Sequence, residues 1–145
     1  MSDKHVSGIG GRVVPFLDHL HVKPTRNEDG SVEFHLKVEH QHLRPLGIIH
    51  GGVIASMLDT ALGQVVGATA KEDQHVVTVQ LNINYIRPTW EGEEIIARGE
   101  LQHRGTQTAV SRGEIRSSDN QLIATATGTF MFLPVPKSGK MEKTE

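Results

Sequence analysis

A chain of 145 residues with a formal net charge of −2, 4% aromatic residues and no cysteine has the size of one domain, burying about two-thirds of the surface its unfolded chain exposes. Scattered basic residues and a near-neutral balance supply neither a nucleic-acid footprint nor a membrane-seeking surface. The missing cysteine excludes disulfides, thiolate catalysis and cysteine metal sites, and with no run of about 18 apolar residues and no signal-like apolar start the chain reads as cytoplasmic.

Residues 1–12 are polar and glycine-rich and read as flexible; Gly8-Ile-Gly-Gly-Arg12 lacks the Lys-Ser/Thr ending of a phosphate loop and follows no strand. Val13 to Leu20 predicts a short helix or turn carrying Phe16 and Leu17 onto the core, followed by a short strand from Leu20 to Lys23. Asn27-Glu-Asp-Gly30 is a turn. After it, Val32, Phe34, Leu36 and Val38 alternate with Glu33, His35 and Lys37, the pattern of a half-buried strand. Glu39-His40-Gln41-His42 is the most metal-like run, yet it has no third ligand at a recognised spacing, so no metal or cofactor is assigned.

The stretch from Arg44 to Gly67 organises the chain. Gly47, Gly51 and Gly52 permit a sharp turn into a helix starting at His50 to Gly52. Val53, Ile54, Met57, Leu58, Ala61, Leu62 and Val65 then cover well over half of its circumference, so the helix is expected to be enclosed by protein. Ser56, Thr60, Gly63 and Gly67 form a small polar seam with Asp59 at its edge. An unpaired carboxylate two turns inside such a helix costs several kcal/mol or titrates upward. Two readings stay open: Asp59 is satisfied by a neighbouring hydroxyl or backbone group, or it faces a cleft as base or nucleophile. The first N–H groups of the helix, at Gly51 and Gly52, are placed to bind a developing oxyanion.

Lys71-Glu-Asp-Gln74 is a loop, and His75 to Ile86 is the longest predicted strand. Val77, Val79, Leu81, Ile83 and Tyr85 form its apolar face, while Thr78, Gln80, Asn82 and Asn84 are polar but uncharged, a surface suited to a second copy of the chain. Arg87 to Gly92 breaks the run. Glu94–His103, Thr106–Arg116 and Gln121–Phe132 read as a meander with turns at Arg104-Gly105 and Ser117–Asn120, and residues 134–145 read as a flexible end. The expectation is a single α+β domain in which about five antiparallel strands wrap one long central helix.

Four features occur in order: His50-Gly51-Gly52, Asp59 seven residues later, a strand ending Tyr85-Ile86-Arg87-Pro88, and His103-Arg-Gly-Thr-Gln-Thr108. Together they resemble the hotdog-fold acyl-CoA thioesterases, specifically the group related to the phenylacetate-pathway and 4-hydroxybenzoyl-CoA enzymes, over roughly residues 30–133. The resemblance implies one hotdog domain, a homodimer or pair of dimers, and hydrolysis of an acyl-CoA thioester to a carboxylic acid and free CoA. It assigns Asp59 as general base or nucleophile, the Gly51 N–H as oxyanion donor beside Gly52, His50 as the motif histidine, and Thr78 as holder of the attacking water. Arg104, Gly105 and Thr108 correspond to the part meeting the nucleotide end of CoA. Arg44 departs from the pattern, because many relatives carry asparagine or glutamine there and a guanidinium accepts no hydrogen bond; either it points elsewhere, as onto CoA phosphate, or the water is left to Thr78, or activity is low.

Plainer readings stand beside these. His50 serves as a helix cap more readily than as a base, threonine is ordinary in a strand, and Arg87 and Arg104 are solvated turn residues on sequence grounds alone. The runner-up function, motivated by Arg44, is a non-catalytic acyl-CoA binding protein of the same fold. The apolar residues Phe16, Val53, Met57 and Leu62 are the expected acyl-pocket lining.

Overall fold

The computed structural model describes residues 14–137; the expectations for residues 1–12 and for the tail beyond Lys137 fall outside them. Helix α1, Pro15–Leu20, starts on a proline whose missing N–H costs nothing at that position and stops where His21 turns left-handed, φ 61°. Leu17 is buried, but Phe16 is 56% exposed and does not join the core. The stop at His21 also moves the first strand along the chain: β1 is Lys23–Arg26, not Leu20–Lys23.

Strand β2, Val32–Lys37, follows the predicted alternation, with Phe34 and Leu36 buried. Two single 3₁₀ turns, His40–His42 and Pro45–Gly47, lead into helix α2, Gly51–Gly67. The remaining strands are β3, Gln74–Tyr85; β4, Glu94–Arg104; β5, Thr108–Ser117; and β6, Leu122–Pro134. All pair antiparallel in one six-stranded sheet ordered β1-β2-β4-β5-β6-β3. β6 also outruns its prediction: Pro134 still pairs with Gln74, and the Val135 N–H donates to Asp73 O at 2.8 Å.

The sheet curls around α2, which packs on β2, β3, β4, β5 and β6. Its closest approach lies over Gly99 and Gly113, cross-strand partners on β4 and β5. A Cβ at Gly99 would stand 2.5 Å from the Ala61 carbonyl oxygen, so backbone can meet backbone only without a side chain there. Beside this contact the buried Ser111 hydroxyl donates to Leu62 O at 3.1 Å. Bulges between Thr78 and Gln80 on β3 and between Leu101 and His103 on β4 fall in adjacent rows of the sheet, and bulges bend and twist the strands that carry them.

The outer surface of the sheet is charged. Arg98 Nε donates to Glu33 Oε1 at 2.7 Å, and this guanidinium holds the Glu33 carboxyl below the usual carboxylate range. Among the described residues no helix is long and apolar enough to cross a membrane.

Candidate active site

The apolar residues of α2 turn Val53, Ile54, Met57, Leu58, Ala61, Leu62 and Val66 into the core. The helix is less enclosed than its composition suggests: Ala55, Ser56, Asp59, Thr60, Gly63 and Gln64 are only half-buried, and Gly52 and Gly67 are exposed. Ser56 and Thr60 satisfy their hydroxyls on the helix itself, donating to Gly52 O at 2.8 Å and Ser56 O at 2.7 Å. Asp59 instead reaches outward to β3, where its Oδ1 accepts the Thr78 hydroxyl at 2.7 Å.

That contact depends on the β3 bulge. Uninterrupted alternation with Leu81, Ile83 and Tyr85 toward the helix would place Thr78 on the opposite face. Val79 is the extra residue: Thr78 pairs with Phe130 and Gln80 with Thr129. Upstream of the bulge, Val76 and Thr78 therefore take the helix side, Val79 is left 56% exposed, and the polar outer row begins at Gln80. The sequence-based assignment of Val77 and Val79 to the core and of Thr78 to the outer row is corrected accordingly.

At the N-terminus of α2, His50 caps the helix, its Nδ1 accepting the Gly52 N–H at 2.8 Å. The Gly52 donor is thus occupied. The Gly51 N–H, by contrast, has no partner among the described residues. Because His50 Nδ1 accepts, the neutral ring carries its proton on Nε2, a second potential donor beside Gly51. Tyr85, missed by sequence reasoning because alternation counted it as core, completes this end. Its hydroxyl donates to Gly51 O at 3.1 Å, and its ring would lie 3.3 Å from a Cβ at Gly51. A phenol that needs a hydrogen-bond partner was the available signal.

The two parts of this flank are separate within one chain. Gly51 and Asp59 are eight residues apart on one helix, which is about 12 Å of rise, whereas one carbonyl group has to be reached by both donor and base at hydrogen-bond distance.

The other predicted site residues divide. Arg44 is exposed and its side chain has no partner among the described residues. Arg104 is not a solvated turn residue. Its guanidinium donates to Gly105 O at 2.6 Å and Thr69 O at 3.1 Å and lies 3.9 Å over the Phe132 ring, tying the β4–β5 hairpin to the C-terminal end of α2. Gly105 closes that hairpin on Thr108 O at 2.8 Å, and Thr108 itself is exposed. Met57 and Leu62 are fully buried between helix and sheet, and Phe16 lies on the surface, so these three do not line a cavity. Large apolar side chains exposed on the segments that flank the start of α2 are Leu46, Tyr85, Ile86 and Trp90. No group of three or more His, Asp or Glu among the described residues is placed to hold a metal ion.

Residues 46–124 match the sequence profile of the thioesterase superfamily. The medium/long-chain acyl-CoA thioesterase YigI of Escherichia coli is 39% identical over 97 residues, 58% of this chain and 62% of YigI. A Bacillus halodurans protein whose crystal structure was solved with CoA is 31% identical, with a TM-score of 0.80 over 86% of this chain and 82% of that one. The PaaI protein of the E. coli phenylacetic acid degradation operon shares the fold at 22% identity and a TM-score of 0.76, over 83% of this chain and 85% of PaaI. The chain spans slightly under two-thirds of the length of the first curated relatives it matches, 64% and 62%. The profile match covers more than half of the chain, and with the wrapped six-stranded sheet it establishes that this protein belongs to the thioesterase superfamily and has the hotdog fold.

Proposed function

We propose that the protein hydrolyses an acyl-CoA thioester to a carboxylic acid and free CoA, in the cytoplasm, as a homodimer or pair of dimers with sites shared between subunits. The observation that carries this reading is one open helix flank bearing a carboxylate held by a threonine hydroxyl and, about 12 Å away, an unpartnered helix-end N–H. A twofold copy brings the two together. β3 is an edge strand of twelve residues beside that flank, and unpaired edge strands invite pairing. A twofold axis between Leu81 and Asn82 would set Thr78 of one copy opposite Tyr85 of the other, and so Asp59 opposite the partner's Gly51. The sequence argument for a dimer rested on the polar outer face of this strand; its free edge is the stronger reason.

In this arrangement Thr78 occupies Asp59 Oδ1 and leaves Oδ2 to the reaction. The carboxylate takes a proton from water as the water oxygen bonds to the thioester carbonyl carbon. The resulting oxyanion is held by the Gly51 N–H and the His50 Nε2–H. On collapse the carbon–sulfur bond breaks, and the CoA sulfur receives the proton from Asp59. The other route open to the same carboxylate is direct attack to form an anhydride, and single-turnover hydrolysis in ¹⁸O-water tests for it, because ¹⁸O found in Asp59 can come only from water attacking the Asp59 carbonyl of that anhydride. Gly105 and Thr108 form the open part of the hairpin assigned to the nucleotide end, with Arg104 holding its shape.

Steady-state assays with aryl-, medium- and long-chain acyl-CoAs and a thiol reagent test the proposal. Asp59→Asn is expected to lower kcat by about 10²-fold or more while acyl-CoA still binds. Mixing Asp59→Asn with a Gly51-region variant is expected to restore part of the activity through hybrid dimers. Near-normal kcat in folded Asp59→Asn would remove Asp59 from the mechanism, and saturable binding with no release of thiol from the unaltered protein would favour the non-catalytic binding protein that Arg44 suggested.

A further inference from the structure

The stretch Glu39–His42 carries two histidines in a metal-like spacing, and the structure gives the second of them another use. His42 is 0% exposed, and both of its ring nitrogens are taken by backbone groups from different segments. Nδ1 accepts the Glu39 N–H at 2.9 Å, while Nε2 lies 2.7 Å from the Leu20 carbonyl oxygen at the end of α1. The donors and acceptors fix the ring chemistry: an N–H points at Nδ1 and a carbonyl oxygen at Nε2, so the ring is neutral with its proton on Nε2. The residue's own carbonyl accepts the His50 N–H at 2.8 Å. His42 therefore joins α1, the 3₁₀ turn before the site, and the capping residue of α2.

We propose that His42 is a positioning residue for the oxyanion donor: its imidazole fixes the turn whose carbonyl seats His50, and His50 in turn sets the direction of the adjacent Gly51 N–H. This rests on the thioesterase reading given above. His50 is bonded on both sides, through its N–H to His42 and through Nδ1 to Gly52, so a displacement of residue 42 is passed to the helix start through these two bonds. A donor meant to meet charge that develops only in the transition state loses its effect with a small misplacement, because its value comes from being aimed beforehand. Substrate binding makes no such demand.

The test combines three variants with a measurement that needs no turnover. His42→Leu fills the buried space but offers neither bond; it is expected to lower kcat about tenfold or more with KM within about twofold, the pattern of an interaction made only in the transition state. His42→Asn can present an acceptor where Nδ1 stood, and His42→Gln a donor where Nε2 stood. Each is expected to recover part of the kcat, and neither all of it. Amide hydrogen exchange should show the His50 and Gly52 amides, which carry the two bonds of this relay, exchanging faster in each variant while amides in β4–β6 keep their protection, and ¹⁵N NMR of the unaltered protein should show a single His42 tautomer protonated on Nε2. If His42→Leu does not fold, the Asn and Gln variants and the tautomer carry the test alone. Unchanged kcat in folded variants, an equal rise in KM, unaltered exchange at His50 and Gly52, or an Nδ1-protonated ring would each overturn the proposal. Absence of thioester turnover in the unaltered protein would remove the functional reading, while the exchange and tautomer measurements would still decide the seating of the helix.

Discussion

On the flank of α2 that faces β4, β5 and β6, helix and sheet approach until backbone meets backbone over Gly99, and the one side-chain hydroxyl there is spent on the Leu62 carbonyl. On the flank that faces β3, Leu81 and Ile83 still pack against the core, but polar side chains make contacts of their own: Asp59 with Thr78, and Tyr85 with the Gly51 carbonyl. The first flank removes apolar surface from water and tolerates no added atom. The second leaves a carboxylate half-buried and a helix-end N–H without a partner among the described residues. One helix thus stabilises the fold on one side and on the other presents the groups assigned to the proposed reaction, so stability and activity should respond to different substitutions.

The largest separation should come from Gly99→Ala. Its new Cβ would meet the Ala61 backbone oxygen at 2.5 Å, and neither strand nor helix can yield without disturbing its hydrogen bonds. The expected loss is about 3 kcal/mol, the upper part of the usual overpacking range, read as a lower denaturation midpoint. Asp59→Asn, by contrast, should leave that midpoint nearly in place and remove turnover. Equal stability of Gly99→Ala and the unaltered protein would show that the close contact can relax and that the two flanks differ less than their geometry implies.

Arg104→Ala comes next, and it sharpens the comparison at the far end of the helix. Two hydrogen bonds to carbonyls and a ring contact with Phe132 are lost, for an expected cost of about 1–2 kcal/mol. Any accompanying rise in KM for CoA thioesters should be independent of salt, since a deformed hairpin is not a lost charge. A rise in KM that shrinks as salt increases would instead place the guanidinium on phosphate.

Much of this arrangement was legible in the chain. The glycine turn gave α2 its start and the period-3.6 apolar stripe its core face, apart from its last turn, where Val66 and not Val65 is buried; the period-2 runs gave β2 and the meander, and Asp59 was conspicuous because a carboxylate is out of place in so apolar a helix. What escaped were features with no periodic signal. A left-handed His21 shifted β1, and nothing in the alternation revealed the extra residue at Val79 that changes which side Thr78 takes. Gly99 and Gly113 are unremarkable within their own strands and acquire meaning only when a helix lies across them. Arg104 reads as a turn residue until Phe132 and Thr69, distant in sequence, arrive beside it.

The smallest predicted effect concerns Thr78, where the bulge gives a side chain to the reactive flank. Thr78→Val keeps the branched shape and the strand preference but removes the donor to Asp59 Oδ1. Without that donor the carboxylate is free to rotate, so in the proposed reaction the oxygen that would take a proton from water is no longer held in one place. The expected outcome is a fall in kcat of about fivefold with KM and thermal midpoint nearly unchanged, because the lost bond fixes orientation and buries little. Thr78→Ser should retain most of the rate, as it keeps a hydroxyl on the same Cβ. If Val and Ser variants behaved alike, the hydroxyl would have no part in the reaction, and the bulge would serve only to bend β3 around the helix.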